Sequence, residues 1–138
     1  MKAWLLISLM MWTVMTQAQT GLVVVVAKDS GVEAISSQQV SNIFLSKTQS
    51  FPDGSKATPI ELKEHALKEA FYASISGKSN SQLSAYWTTL VFTGKGKPPK
   101  GYKSSDKLIQ NLVSMNGAIT YLPADLVTND MKVIYRFP

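Results

Sequence analysis

Leu22-Val23-Val24-Val25-Val26 is the segment that most constrains the fold of this chain. Five consecutive apolar residues, four of them β-branched, form too short a run for a typical helix and favour an extended backbone. A strand that is apolar on successive residues presents hydrophobic side chains to both faces of its sheet. It is satisfied only where both faces are covered. Gly117-Ala118-Ile119-Thr120-Tyr121-Leu122 reads the same way. Two such strands call for helices above and below one sheet, which is a layered α/β architecture.

The segments between these strands supply the helices. Val40, Ile43 and Phe44 share one helical face, and Ser36 with Gln39 has the form of a capping box at its start, so a helix is expected over 37–45. Phe51-Pro52-Asp53-Gly54 is turn chemistry: Pro presets φ, Asp bonds nearby backbone and Gly accepts positive φ. A strand at Thr58–Leu62 follows it. Leu67, Phe71 and Ile75 form the apolar stripe of a second helix that Gly77 ends. Ser79 and Gln82 open a third, with Leu83, Tyr86, Trp87, Leu90 and Val91 three and four apart, a spacing that assigns Tyr86 and Trp87 to the core. Gly94 to Tyr102 reads as a loop. Ser105 to Met115 is a fourth helix with Leu108, Leu112 and Met115 on one side, and a short helical turn and a strand over 132–137 close the chain. Alternation of strands and helices specifies a mixed sheet.

The first eighteen residues stand apart. Lys2 precedes an almost wholly apolar run from Ala3 to Met15, and Thr16-Gln17-Ala18 offers small residues at the positions a signal peptidase reads. The run is shorter than the roughly 20 residues a membrane span needs, so a secretory signal peptide over 1–18 is expected, with cleavage near Ala18 and a periplasmic or secreted product. Residues 19–138 then form one domain. Lys2 leaves with the signal, taking the 14 Lys and Arg to 13 against 9 Asp and Glu, a net of +4. So small an excess does not indicate nucleic acid. The absence of cysteine excludes a disulfide framework and a lipidated cysteine.

Little in the sequence points to catalysis. There is no Cys nucleophile, no Ser-His-Asp set in recognisable context and no Gly-rich loop after a strand; Gly94-Lys95-Gly96-Lys97 lacks the spacing of a phosphate loop. His65 is the one histidine, and with scattered carboxylates it does not make a metal site. No enzyme, cofactor or metal is expected. Lys95, Lys97, Lys100 and Lys103 concentrate positive charge in one Gly/Pro-stiffened loop, able to meet an acidic partner, a phosphate-rich surface or a membrane, or simply to remain solvated.

In order, NIFLSK, FPDGSK, PIEL, KEAFY, SQLSAYW, LVFTGKGKPPK and GAITYL resemble the phosphate-binding-protein-like family, in particular short single-lobe members of the periplasmic substrate-binding superfamily. The resemblance spans about residues 22 to 135 and rests on the order of seven segments rather than on any one. It implies a single three-layer lobe of the periplasmic binding protein type, phosphate or another small oxyanion as ligand, and a role beside an ABC-type transporter or sensor. In full-length relatives the loop after the second strand carries Ser, Gly and Thr with an Arg, and holds the anion at a helix N-terminus. Here that loop is Glu61-Leu62-Lys63-Glu64-His65-Ala66-Leu67, without Gly, Ser, Thr or Arg. The corresponding contacts are Lys63, a protonated His65 and the N–H groups of Ala66 and Leu67, with the carboxylates of Glu61 and Glu64 flanking them. The other reading is an interaction module that has lost the ligand and docks another envelope or transporter protein.

Export is directly testable. N-terminal sequencing of the protein from the periplasmic or external fraction is expected to begin at about Gln19, and recovery of soluble protein that retains Met1 would contradict the signal peptide.

Overall fold

The computed structural model describes residues 21–138, so the signal peptide expected over 1–18 lies outside the described residues. The chain runs β1 (Leu22–Ala27), α1 (Ser37–Phe44), β2 (Thr58–Leu62), α2 (His65–Ser76), α3 (Asn80–Phe92), β3 (Lys100–Tyr102), α4 (Ser105–Ser114), β4 (Ala118–Pro123), a 3₁₀ turn (Ala124–Leu126) and β5 (Met131–Arg136). The sheet has the order β3-β2-β4-β1-β5. β2 is parallel to both β3 and β4, and β1 is antiparallel to both β4 and β5. This is the mixed α/β sheet expected from the sequence.

The two continuous apolar strands sit side by side near the centre, in the register Val23↔Leu122, Val24↔Tyr121 and Val26↔Ile119. Because side chains alternate, each strand feeds two cores. Val24, Val26, Ile119 and Tyr121 pack with Val40, Ile43, Phe44, Phe71, Leu83 and Trp87 from α1, α2 and α3. Val23, Val25, Ala118 and Leu122 pack on the other face with Leu108 and Leu112 of α4. Three layers follow from strands that have no solvent face.

Aromatic contacts organise the larger core. The rings of Phe71 and Tyr121 stack with centroids 3.7 Å apart, and Phe44 meets Phe71 edge-on at 4.8 Å. Trp87 is buried in this core as its spacing indicates, and the Tyr86 hydroxyl donates to the Leu45 carbonyl at 2.6 Å. Ser36 and Ser79 form the capping boxes read from the sequence, each accepting from the N–H three residues on. In the Phe51–Gly54 turn the Gly54 N–H donates to the Phe51 carbonyl, while Asp53 Oδ1 accepts from the Ser55 N–H.

Two features depart from the sequence reading. The stretch Gly94–Tyr102 is not wholly loop: its last three residues form β3, parallel to β2 with Ile60↔Lys100 and Leu62↔Tyr102 in register. Lys-Gly-Tyr has no strand signal of its own, and the open edge of β2 provides the pairing. Val91 was expected on the buried stripe of α3 but is 55% exposed, and Phe92 is 90% exposed. Leu90 still packs against the larger core, but Val91 and Phe92 belong to neither cluster.

Gly117 joins the two halves of the sheet. Its φ is +81°, its carbonyl accepts from the Thr58 N–H at 2.8 Å, and a Cβ there would collide with the Lys56 carbonyl oxygen. A side chain would strain the backbone and displace the start of β2. Gly117→Ala is therefore expected to destabilise the fold by about 2 kcal/mol or more in urea unfolding. A loss below about 0.5 kcal/mol would show that this junction is slack.

Candidate functional site

β2 and β3 run parallel and end together, the Lys63 N–H donating to the Tyr102 carbonyl at 2.8 Å just past their last residues. The edge formed by the carboxyl ends of parallel strands is where open α/β sheets place ligands. At this edge the chain turns through Lys63 and Glu64 into α2. Glu64 is the N-cap residue, extended at φ −114° and ψ 118°, and its side chain makes no capping bond. The other three α-helices are capped by the hydroxyls of Ser36, Ser79 and Ser104. Among the described residues no acceptor is bonded to the N–H of His65, Ala66 or Leu67, whereas the Lys68 N–H already bonds the Glu64 carbonyl. Three donors with the positive end of the helix dipole behind them are therefore left without an acceptor.

The side chains expected at this position are brought together only in part. The Lys63 stem lies against β3, so close that a Cβ on Gly101 would stand 2.7 Å from Lys63 Cγ, and its ammonium takes part in none of the ion pairs among the described residues. His65 is exposed and turned along the helices: its Nε2 is 3.1 Å from Asn80 Nδ2 and 3.9 Å from Glu69 Oε2. Ala66 is exposed, while Leu67 is half-buried with its side chain packed against both cores.

The expectation that Glu61 and Glu64 both flank the anion position is corrected. Glu64 is exposed, but Glu61 is buried beneath α2. Its Oε2 accepts from the Tyr121 hydroxyl at 2.9 Å and the Tyr72 hydroxyl at 3.2 Å, and its Oε1 is 3.5 Å from Lys68 Nζ. Strand alternation is the reason. Ile60 and Leu62 point to the α4 face, which turns Glu61 to the face covered by α2. Sequence reading missed this network, and the signal available for it was one carboxylate at an alternate position of an otherwise buried strand. Burial pushes the Glu61 carboxyl above the ordinary carboxylate range, opposed by Lys68 and the two tyrosine hydroxyls. Burial and the Glu61 charge together raise both tyrosines far above their usual range.

The lysine loop is divided by β3. Lys95, Lys97 and Lys100 line a groove of about 650 Å³ with Lys56, beside the carboxyl end of α1 and the amino end of β2. Lys103 lies past β3, next to the Ser104 cap of α4, at the same edge of the sheet as Lys63. No local signal marks Lys56 as a neighbour of the loop lysines. Among the described residues no group of three His, Asp or Glu side chains is placed to hold a metal, and no helix is long and apolar enough to cross a membrane.

No protein-family model and no curated protein matches the sequence. Solved structures do match. A protein described as a phosphate ABC transporter substrate-binding protein with bound phosphate, from Clostridium perfringens, aligns over 83% of this chain and 44% of its own length with a TM-score of 0.64 at 12% identity. An ABC-type phosphate transport receptor from Vibrio cholerae aligns over 83% of this chain and 45% of its own, with a TM-score of 0.55 at 13% identity. PstS from Borrelia burgdorferi aligns over 86% and 49%, with a TM-score of 0.52 at 13% identity. This chain shares their fold. It spans less than half the length of each and has the architecture of a single lobe.

The Glu61 network carries a pH signature. A carboxyl whose folded pKa is raised contributes stability that is fully present below its unfolded value and is lost as pH rises through the folded value. The stability of the native chain relative to Glu61→Gln is therefore expected to fall as pH is raised from about 4 toward neutrality. Urea unfolding of both proteins across that range reads it. A difference that grows with pH would mean that Lys68 and the tyrosines outweigh burial.

Proposed function

We propose that the chain is an exported, non-enzymatic single-lobe binding protein, with residues 1–18 as signal peptide and 19–138 as the functional domain, and that it contacts phosphate or a similar oxyanion in association with ABC-type transport or sensing. The observation that carries this reading is the start of α2. It is the one α-helix among those described whose N-cap residue makes no side-chain capping bond, and it opens at the carboxyl edge of two parallel strands. Free first-turn N–H groups favour an anion by both hydrogen bonding and dipole. Lys63, with no carboxylate partner among the described residues, adds a cation beside them, and His65 adds a second when protonated. Burial of Glu61 in its tyrosine network leaves Glu64 as the one opposing carboxylate within the loop. The shared fold with phosphate-binding proteins supports the same ligand class.

The affinity of such a half-site is limited. Lys63, Glu64, His65 and Ala66 are all exposed, so each hydrogen bond competes with water and contributes about 1 kcal/mol. Three or four of these do not readily overcome the cost of immobilising the ligand. Titration calorimetry of the mature chain with phosphate at pH 8 is expected to give a dissociation constant of about a millimolar or weaker. Lys63→Ala/His65→Ala is expected to remove the residual heat. Micromolar affinity that survives the double substitution would place the anion elsewhere and refute this site.

A second reading, a docking module for another envelope or transporter protein, is favoured by the groove lined by Lys56 and the loop lysines. It does not compete for the same residues.

A further inference from the structure

We propose that the groove between the end of α1 and the 94–100 loop binds an extended acidic peptide segment of a partner protein. Lys56 stands in the segment leading into β2, Lys95 and Lys97 stand in the loop, and Lys100 opens β3. No Asp or Glu is among the residues lining the groove, and none of the four lysines takes part in an ion pair among the described residues. Lys100 Nζ instead lies 5.3 Å from the centre of the Tyr102 ring. Lys56, Lys95 and Lys97, with no ion-pair partner among the described residues, leave the cleft a positive charge that a complementary chain neutralises.

The loop that carries Lys95 and Lys97 packs closely against its neighbours. Gly96 approaches the end of α1 so closely that a Cβ would stand 2.7 Å from Ser46 Oγ and 3.1 Å from Leu90 Cδ2. Lys95 and Lys97, on either side of it, are thereby held at the groove. Ser46 is the one non-glycine residue with positive φ among those described, at 61°, in a position after a helix end that glycine usually occupies. Ser46 lines the groove together with Thr48 and Thr58.

The chemistry of the lining selects the occupant. A compact phosphate is held by converging, rigid donors, whereas lysine is a hydrated point charge on a flexible stem. The four lysines come from two separate segments, and Pro59, Pro98 and Pro99 line the same groove. Dispersed charge beside apolar surface matches a chain that alternates carboxylates with small apolar side chains. The groove lies at the amino end of β2, opposite the edge where α2 begins, so it is independent of the oxyanion site proposed above.

Fluorescence anisotropy of the mature chain with a fluorescein-labelled peptide of alternating glutamate and alanine or leucine tests this. Binding is expected at about 50 mM salt, weakening as salt is raised. The peptide with glutamine in place of glutamate should not bind. Lys56→Gln/Lys95→Gln/Lys97→Gln/Lys100→Gln is expected to weaken binding about tenfold or more. Removing equal charge elsewhere, by Lys28→Gln/Lys78→Gln/Lys107→Gln/Arg136→Gln, should change it less than about twofold. Gly96→Leu, which alters no charge but displaces the loop, should also weaken it. Absence of binding, equal losses in the two fourfold variants, or an unaffected Gly96→Leu would overturn the proposal. So would tighter groove-dependent binding of tripolyphosphate or of phosphatidylglycerol vesicles, which would assign the groove to a phosphate-bearing ligand instead.

Discussion

The pairing of β1 with β4 is the constraint on which the rest of the structure depends. Each strand has apolar side chains on both faces, so neither face of the sheet can remain wet. One side takes α1, α2 and α3 and the other takes α4, and the residues at alternate positions of the two strands belong to different cores. Burying a Val or Leu side chain contributes about 1.5–3 kcal/mol, and nearly every residue of these two strands is buried. Removing the cover from either face would therefore expose one of the two cores.

The candidate site follows from that arrangement. With β1 and β4 central, β2 lies outside β4 and β3 outside β2, and these parallel neighbours must be reached through helices. α2 thus begins at the carboxyl edge of the sheet with its first N–H groups pointing away from it. The same strand that aims this helix also buries Glu61. The buried carboxylate holds Tyr72 of α2 to Tyr121 of β4, tying the helix to the central strand through a polar contact inside an aromatic cluster. The candidate edge and the structural network are separated by only two or three residues. Alternation along β2 turns Glu61 into the core, while Glu64, past the end of the strand, stays exposed.

The two charged regions divide for an equally simple reason. The lysines of residues 95–103 are one cluster in sequence, but a strand advances about 3.3 Å per residue and β3 carries Lys103 away from Lys95 and Lys97. Chain reversal at the Phe51–Gly54 turn brings Lys56 to the first group. The protein consequently presents lysines at both ends of the same strand pair, one set beside an open helix start and the other around a groove.

Most of the fold was legible in the residues because it rests on local rules. Continuous apolar runs marked β1 and β4, Ser-x-x-Gln marked the starts of α1 and α3, and Gly77 marked the end of α2, where it sits at φ +67°. What the sequence could not determine depends on contacts between distant segments. β3 exists because the edge of β2 was open, and Val91 is exposed because α3 outruns the core. Glu61 is buried because two tyrosines, 11 and 60 residues away, meet it. Lys56 and Ser46 border the lysine groove because Gly96 can approach the end of α1. Periodicity, capping and turn chemistry act within a few residues and can be read along the chain. Which charges end as neighbours, and which are buried, is set by packing, and only the tertiary structure decides it.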